Sequence, residues 1–194
     1  MIDYLFVLAA YLMGSVSSAI VISRVLSLQD PRKVGSGNPG ATNVLRYSGK
    51  KAALITLAGD ILKGALPVLA ARVYGVEPMI LAGVMLAAFL GHLFPVFHGF
   101  RGGKGVATAF GALTALNGWI GVALSAIWLL TALIFRYSSL AGLVGALAAP
   151  LLVGCLQGGT FFIASAWVMT VLLVWRHRGN VRNLLAGTED KIGH

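Results

Sequence analysis

Charged side chains are scarce in this sequence: Asp, Glu, Lys and Arg make up 11% of its 194 residues. A soluble domain carries roughly 25% of such residues, so this chain has too few to cover a water-facing surface. Hydrophobic residues account for 58% of the chain and fall in long runs. The composition therefore excludes an ordinary soluble domain and predicts a polytopic membrane protein.

Cysteine and acidic residues are also rare. Cys155 is the single cysteine, which excludes a disulfide within the chain, and its position in an apolar run predicts a small buried side chain. The six acidic residues are too scattered for a convincing metal site. We expect neither a metal nor a cofactor, and no nucleic-acid partner, because the basic residues are not gathered on a soluble face.

Long apolar runs are what the sequence has instead. They cover residues 4–23, 52–74, 79–97, 105–117, 119–135, 139–157 and 160–175. Since a spanning helix needs about 20 apolar residues, we predict an all-α integral membrane protein, a bundle of about seven transmembrane helices. The fourth run is short, so six spans, with 105–135 as a bent hairpin, is the alternative. We expect the first run to stay uncleaved, although small residues near Ser18 resemble a cleavage site.

Lysine and arginine lie on one side of this predicted bundle. With seven spans, that side receives the connections 24–51, 98–104, 136–138 and 176–194. These hold every basic residue except Lys63 and Arg72. The positive-inside rule then places the N-terminus outside and the C-terminus in the cytoplasm. No linker or repeat divides the chain, so residues 1–194 are expected to form a single membrane-embedded domain.

A first polar block, Val34 to Arg46, contains GSGNPG, which has the G-x-G-x-x-G spacing of a dinucleotide site. That fingerprint requires a preceding strand and a βαβ unit, and neither is expected here. The glycines would still let backbone N–H groups approach another anion. A flexible turn is the alternative, since Gly, Asn and Pro are ordinary loop residues.

A second polar block, Gly91 to Gly111, surrounds the run RGGKG. It does not match the nucleotide-binding P-loop, because glycine follows the lysine where that loop needs Ser or Thr. Glycines before Lys104, at the predicted N-terminus of a helix, nevertheless suit a phosphate. The alternative is a glycine-rich turn whose positive charges serve only to orient the chain in the membrane.

A third polar block, Trp175 to Lys191, is rich in arginine. Its arginines could simply bind the membrane surface. His177 and Asn180, however, have the i, i+3 spacing that places two side chains on one helix face, where they could meet one ligand.

Two smaller polar pieces lie inside or beside apolar runs. Asp60 and Lys63 also share a helix face, and an ion pair is the expected reason, with substrate contact as the alternative. Ser138 and Ser139 open an apolar run, so helix capping is the simple interpretation. With the three blocks on one face of a small bundle, we predict a cytoplasm-facing site for at least one phosphate, open to lipid.

At these residues the chain resembles the bacterial acyl-phosphate:glycerol-3-phosphate acyltransferase family, known as PlsY. The matching pieces, in family order, are GSGNPGATN, LAGDILKG, GHLFPVFHGFRGGKGVATAFG, RYSSLAG and RHRGNVRNLLAGTE. The resemblance implies a seven-helix membrane enzyme that transfers an acyl group from acyl phosphate to the 1-hydroxyl of sn-glycerol 3-phosphate. The products would be lysophosphatidate and inorganic phosphate, in the first acylation of phospholipid biosynthesis.

Other glycerolipid acyltransferases use H-x-x-x-x-D, with the histidine as base. The residues five positions after His92, His98 and His177 are Phe97, Gly103 and Arg182. That machinery is therefore absent, and a Ser-His-Asp triad lacks an obvious acid. Acyl phosphate needs less help, because its carbonyl is activated and phosphate leaves readily. Holding both substrates in line and stabilising the oxyanion would be the main tasks.

Site roles follow from this chemistry and from motif position. We expect Ser36, Lys104 and His177 to be catalytic. The residues expected to bind or cradle substrate are Gly37, Asn38, Gly40, Thr42, Asn43, Arg46, Gly102, Gly103, Ser139 and Asn180. Ser36, Gly37, Asn38 and Gly40 would hold the phosphate of the acyl donor, and Lys104, Arg46, His177 and Asn180 would hold glycerol 3-phosphate. Either a substrate phosphate or His177 could accept the hydroxyl proton.

The expected setting is the bacterial cytoplasmic (inner) membrane, with acyl phosphate, glycerol 3-phosphate and membrane lipid as partners and a monomeric chain. A small organophosphate transporter is the alternative function. Against it, the outer side lacks a polar entry to match the inner one. A scaffold without enzymatic activity would leave the three phosphate-suited blocks unexplained.

Overall fold

The computed structural model describes residues 2–193, and all regular structure in that range is helical. The helices of this range are α1 (Ile2–Ser15), α2 (Ser18–Val25), α3 (Ala41–Tyr74), α4 (Pro78–Leu93), α5 (Val106–Leu116), α6 (Gly118–Phe135), α7 (Ser138–Leu156), α8 (Thr160–Arg176) and α9 (Arg178–Leu185). A 3-10 turn, Val96–His98, follows α4. The all-α prediction is confirmed for the described chain.

Helix length supports four to six membrane crossings. The helices α3, α6, α7 and α4 with its 3-10 turn are each long and apolar enough to cross alone. The pairs α1–α2 and α8–α9 add two crossings if each pair, bent by 47° and 58°, is one span. α5 has 11 residues, about 17 Å of helix against a hydrocarbon core of roughly 30 Å. The count of seven therefore stays a prediction.

Helix α3 begins earlier than the apolar pattern predicts. Its first residue is Ala41, after the N-cap Gly40, whereas the apolar run begins at residue 52. The helix is kinked at Gly49, which has a φ of +84° and a ψ of 174°. Residues 41–46 of the first polar block are therefore helical rather than a loop. Hydropathy could not reveal this, because these turns lie before the apolar part of the helix.

Glycines allow two helix pairs to pack with their backbones almost touching. A Cβ atom added to Gly64 of α3 would lie 2.1 Å from the Thr108 carbonyl oxygen of α5, and one on Gly111 would lie 2.1 Å from the Ile61 carbonyl oxygen. Gly14 of α1 has the same relation to Ala88 of α4, at 2.1 Å. Small residues are therefore what bring α1, α3, α4 and α5 together.

The most buried helix is α4, whereas the long helix α6 lies at the periphery of the bundle. Phe89, Met85 and Leu93 of α4 are fully buried, whereas most large side chains of α6 are exposed. Cys155 corrects an expectation: it is exposed on α7 instead of buried. A residue in a membrane helix can be apolar because it faces lipid, so an apolar run alone does not separate core from surface.

The short helix α5 is tied at its C-terminal end by a basic residue of α3. The Arg72 guanidinium donates to the carbonyls of Ala115 and Leu116. The last carbonyls of a helix lack intrahelical partners, and a cation there also complements the helix dipole. Arg72 thus satisfies α5 at the end of the bundle opposite the polar blocks.

The close packing at Gly64 gives a direct test of the fold. Gly64→Ala should destabilise the purified protein by about 1–3 kcal/mol, because the added methyl group forces α3 away from the α5 backbone. Thermal unfolding in detergent would measure the loss. The matched control is Gly83→Ala in α4, whose added Cβ would meet only a Val7 methyl group at 3.6 Å. Equal midpoints for the two variants would contradict this packing.

Candidate active site

The first wall of the site is the loop before α3, which Asn43 holds from within. The Asn43 side chain is buried and donates from Nδ2 to the carbonyls of Pro31, at 2.9 Å, and Val34, at 3.1 Å. Its Oδ1 accepts the Ser36 N–H at 3.2 Å. These three bonds fix the loop that carries Ser36, so Asn43 acts by positioning.

Two glycine N–H groups of this loop already have backbone partners. The Gly37 N–H donates to the Val34 carbonyl and the Gly40 N–H to the Asn38 carbonyl. The first N–H groups of a helix have no partner within it, and Ala41 and Thr42 at the start of α3 line the cavity described below. An anion is therefore expected to meet this helix N-terminus and the Ser36 hydroxyl. The glycines supply the turns, with φ of +56° at Gly35 and +67° at Gly37.

An ion pair fastens the start of the same loop. Arg32 Nη2 lies 2.6 Å from Asp30 Oδ2. This hydrogen-bonded guanidinium lowers the pKa of Asp30 to about 2. Asp30 is thus ionised and paired, which leaves it unsuited to accept a proton in catalysis.

The second wall is the loop from Arg101 to Gly105, which is held from two sides. The Gly102 and Gly103 N–H groups donate to the carbonyls of Leu93 and His92, both at 3.2 Å. From the other side, Arg176 donates to the carbonyl oxygens of Gly102, at 2.6 Å, and Gly103, at 3.1 Å. Cβ atoms on these glycines would lie 2.0 Å and 2.2 Å from atoms of His92. Both glycines therefore serve close packing.

Lys104 projects from this loop toward the third wall. Its ammonium group donates to Asn180 Oδ1 across 76 residues of sequence. Burial lowers the pKa of Lys104 below its ordinary value. A partly desolvated cation of this kind interacts more strongly with a phosphate than one in open water would.

The third wall is the break between α8 and α9. His177 lies at the break and is buried, and its Nδ1 lies 2.8 Å from the Leu173 carbonyl oxygen. A carbonyl can only accept, so Nδ1 carries a proton and Nε2 is the nitrogen that can accept one. Asn180 lies one turn further on, in α9. Both residues line one cavity, as their spacing predicts.

Ser139 faces the same cavity from α7. Its hydroxyl is buried and has no hydrogen-bond partner among the described residues. The N-cap of α7 is Tyr137, and no side chain caps the helix there. The capping interpretation is therefore wrong. A buried hydroxyl without a protein partner is costly, which suits a group that binds a ligand.

The C-terminal segment closes the polar end, and the sequence analysis missed its role. Glu189 Oε1 accepts from Asn180 Nδ2 at 2.7 Å, and Asp190 lies 2.8 Å from Arg46. The Ile192 N–H also donates to the Arg136 carbonyl. Carboxylates thus contact two residues predicted to bind substrate. Because the chain has only six acidic residues, two adjacent ones at Glu189 and Asp190 were the signal that could have indicated this role.

Two adjoining cavities lie between these walls. The first, of about 410 Å³, is polar at the blocks and then runs between apolar side chains that include Phe110, Leu113, Leu124, Trp128 and Met169. The second, of about 550 Å³, lies among Arg176, Arg178 and Arg182. Both are lined by Ser36, Asn38, Lys104 and Asn180. The arrangement suits a molecule with an anionic head and an apolar tail.

Most of the predicted site residues meet at the first cavity. It is lined by Ser36, Asn38, Gly40, Thr42, Asn43, Arg46, Lys104, Ser139, His177 and Asn180. Gly37 and Gly102 line only the second cavity. Gly103 lines neither and acts through the loop that carries Lys104. Asp60, for which substrate contact was the alternative to an ion pair, also lines the first cavity, as does His92, which had no predicted role.

The chain is similar to known proteins in both sequence and fold. Residues 4–187 match the family described as "Glycerol-3-phosphate acyltransferase". A glycerol-3-phosphate acyltransferase of Thioalkalivibrio sulfidiphilus is 55% identical over 97% of this chain and 93% of that protein. One of Ralstonia nicotianae is 58% identical, with the same coverage.

Two solved structures have the same fold. Both are crystal structures of PlsY (YgiH), an integral membrane glycerol 3-phosphate acyltransferase. The glycerol 3-phosphate form is 39% identical, with a TM-score of 0.94 over 100% of this chain and 96% of that one. The lysophosphatidic acid form is 38% identical, with a TM-score of 0.92 and the same coverage.

The positioning role of Asn43 can be tested by proteolysis. Asn43→Ala removes three hydrogen bonds from the 31–36 loop and should destabilise it by roughly 1.4 kcal/mol. Trypsin should then cut the folded protein after Arg32 and Lys33 about tenfold faster. Thr42→Ala is the control, because the Thr42 side chain is exposed and makes no hydrogen bond within residues 2–193. Equal cleavage of both variants would argue against the role of Asn43.

Proposed function

Because the chain belongs to the glycerol-3-phosphate acyltransferase family, we propose that it transfers an acyl group from acyl phosphate to the 1-hydroxyl of sn-glycerol 3-phosphate. Lysophosphatidate and inorganic phosphate are the products. The observation that carries the proposal is the set of four polar residues, Ser36, Asn38, Lys104 and Asn180, that lines both the apolar cavity and the arginine-rich one. One donor set can thus serve two phosphates beside an acyl chain.

The acyl donor is placed by its two unlike ends. Its phosphate binds between the loop carrying Ser36, Gly37, Asn38 and Gly40 and the N-terminus of α3, whose open N–H groups and helix dipole favour an anion. Its acyl chain lies in the apolar part of the first cavity, beside Phe110, Leu113 and Trp128. The carbonyl carbon is then held between the two regions, close to Lys104.

Glycerol 3-phosphate binds next to the donor. Arg46, Lys104 and Asn180 bind its phosphate, and the unpartnered Ser139 hydroxyl binds the polar end of the substrate beside His177. Asp190 contacts Arg46, and Glu189 contacts Asn180. A phosphate carries more charge than either carboxylate and competes with them for these groups.

The reaction joins the two substrates through one tetrahedral intermediate. The glycerol 1-oxygen forms a bond to the acyl carbonyl carbon, and the carbonyl electron pair moves to the oxygen. Lys104 and the Ser36 hydroxyl stabilise this oxyanion. The bond between the carbonyl carbon and the phosphate oxygen then breaks, and phosphate leaves with that electron pair. The hydroxyl proton ends on the departing phosphate, either directly or by way of His177.

His177 has the geometry of the proton acceptor. Its Nδ1–H is held by the Leu173 carbonyl, so the ring is fixed and Nε2 is the open nitrogen. Asp30 is paired with Arg32 at the far side of the loop and is a poor rival. We therefore assign the proton to Nε2 in the first step, with direct transfer to phosphate as the competing route.

The site faces the cytoplasm of the bacterial inner membrane in this proposal, and the chain acts as a monomer that crosses the bilayer seven times. The basic segments all lie at the end of the bundle that carries the site, as the positive-inside rule requires of a cytoplasmic end. α5 contributes a short crossing from Gly105 to Asn117 where the polar loop dips toward the bundle. Glycerol 3-phosphate then enters the site from water, and the acyl chain enters from lipid.

The donor can be tested with purified protein in detergent micelles. Acyl phosphate with glycerol 3-phosphate, without magnesium, should yield inorganic phosphate and lysophosphatidate in equal amounts, and acyl-CoA should yield none. Ser36→Ala and Lys104→Ala should each lower turnover by about 10²–10³-fold, the effect of losing an oxyanion donor. Lys51→Ala, which removes an exposed cation of α3 outside both cavities, should be unaffected. Equal use of acyl-CoA, or near-wild-type turnover of both site variants, would contradict the proposal.

The role of His177 predicts a split between kinetic constants. His177→Gln should lower kcat by about 10²–10⁴-fold, the range for loss of a general base, and change the KM for glycerol 3-phosphate little. The measurement is steady-state phosphate release. A raised KM with kcat preserved would instead make His177 a binding residue and leave the phosphate as the proton acceptor.

A further inference from the structure

Three ionisable side chains are buried together beneath the site. Asp60 and Lys63 of α3 form an ion pair, with Lys63 Nζ 2.9 Å from Asp60 Oδ1. His92 of α4 faces the same carboxylate, with its Nδ1 3.7 Å from Asp60 Oδ1. All three are less than 10% exposed. The predicted ion pair is therefore confirmed, and His92 is an addition that the sequence did not predict.

Lys63 makes its second contact on the side away from the site. Its ammonium group also donates to the Val16 carbonyl at 2.8 Å. Val16 lies in the break between α1 and α2, where a carbonyl has lost its helical partner. Lys63 thus balances the charge of Asp60 and satisfies the break, whereas Asp60 and His92 line the first cavity.

His92 connects this cluster to the loop that carries Lys104. Its carbonyl accepts the Gly103 N–H at 3.2 Å. Its imidazole packs against Gly103 so closely that an added Cβ would lie 2.2 Å from Nε2. Arg176 holds the Gly103 carbonyl from the opposite side at 3.1 Å. Gly103 is clamped between His92 and Arg176, and the next residue is Lys104.

We propose that Asp60 is a positioning residue, which fixes the His92 ring against Gly103 and so sets the place of the Lys104 ammonium group. The proposal rests on the proposed function, in which Lys104 binds a substrate phosphate. A buried ion pair is weak evidence for stability, since replacing both partners by apolar residues is often neutral. The role of the cluster is therefore to position the Lys104 side chain in the site rather than to stabilise the fold.

A pair replacement separates positioning from folding. Removing Asp60 alone would strand the Lys63 charge, so both are changed: Asp60→Leu with Lys63→Met removes the charges and the contact with His92. Asp60→Asn with Lys63→Met removes the charges but keeps a polar side chain of the same size facing His92 Nδ1. His92→Gln, with Asp60 and Lys63 intact, removes the ring from Gly103 and serves if a pair variant fails to fold.

Calorimetric titration of glycerol 3-phosphate into purified protein in detergent is the readout. The leucine pair variant and His92→Gln should each weaken binding by about tenfold, as expected for a coupled neighbour. The asparagine pair variant should bind within about threefold of wild type. Combined with Lys104→Gln, the leucine pair should add little further loss, because its effect passes through Lys104.

The control is Arg72→Met, which removes a basic residue of α3 at the opposite end of the bundle. It should lower thermal stability and leave glycerol 3-phosphate affinity unchanged. Wild-type affinity in both the leucine pair and His92→Gln variants, or losses that multiply fully with Lys104→Gln, would overturn the positioning role alone. A wild-type protein that binds no glycerol 3-phosphate would overturn the proposed function and this inference with it.

Discussion

The hydrogen bonds from Arg176 to the carbonyls of Gly102 and Gly103 are the contact on which the site depends. They join the start of the break after α8 to the loop before α5. The hydrogen bond from Lys104 to Asn180 joins the same two segments a second time. The contact requires residues without a Cβ at both glycines, because His92 occupies the other side. A single guanidinium thus brings two polar blocks, far apart in sequence, into one binding surface.

Interrupted helices make such a surface possible in a membrane. A continuous helix satisfies its own backbone and offers only side chains, whereas a break leaves N–H and C=O groups that need partners. The N-terminus of α3 offers free donors to an anion, and the break before α9 places His177 at the cavity. The break after α1 offers a carbonyl instead, which Lys63 satisfies. These three breaks therefore either line the first cavity or are satisfied by a buried charge.

Sequence reasoning predicted the parts of the fold that hydropathy controls. The last four apolar runs match α5 to α8 within a residue or two, and most of the residues chosen for phosphate chemistry line the first cavity. It missed the early start of α3, because its first turns are polar, and the lipid exposure of Cys155. It also missed Glu189 and the contact of Asp60 with His92. Both contacts join segments that meet only in the folded chain. Neither segment alone carries a sequence pattern that indicates the contact.

The central claim is that three polar segments hold the head of an acyl phosphate while its tail enters the apolar cavity. A crystal structure with a non-hydrolysable acyl phosphonate would test this most directly. The account predicts the phosphonate between Ser36, the N-terminus of α3 and Lys104, with the chain beside Phe110 and Trp128. A phosphonate bound only among Arg178 and Arg182, with the chain outside the first cavity, would contradict it.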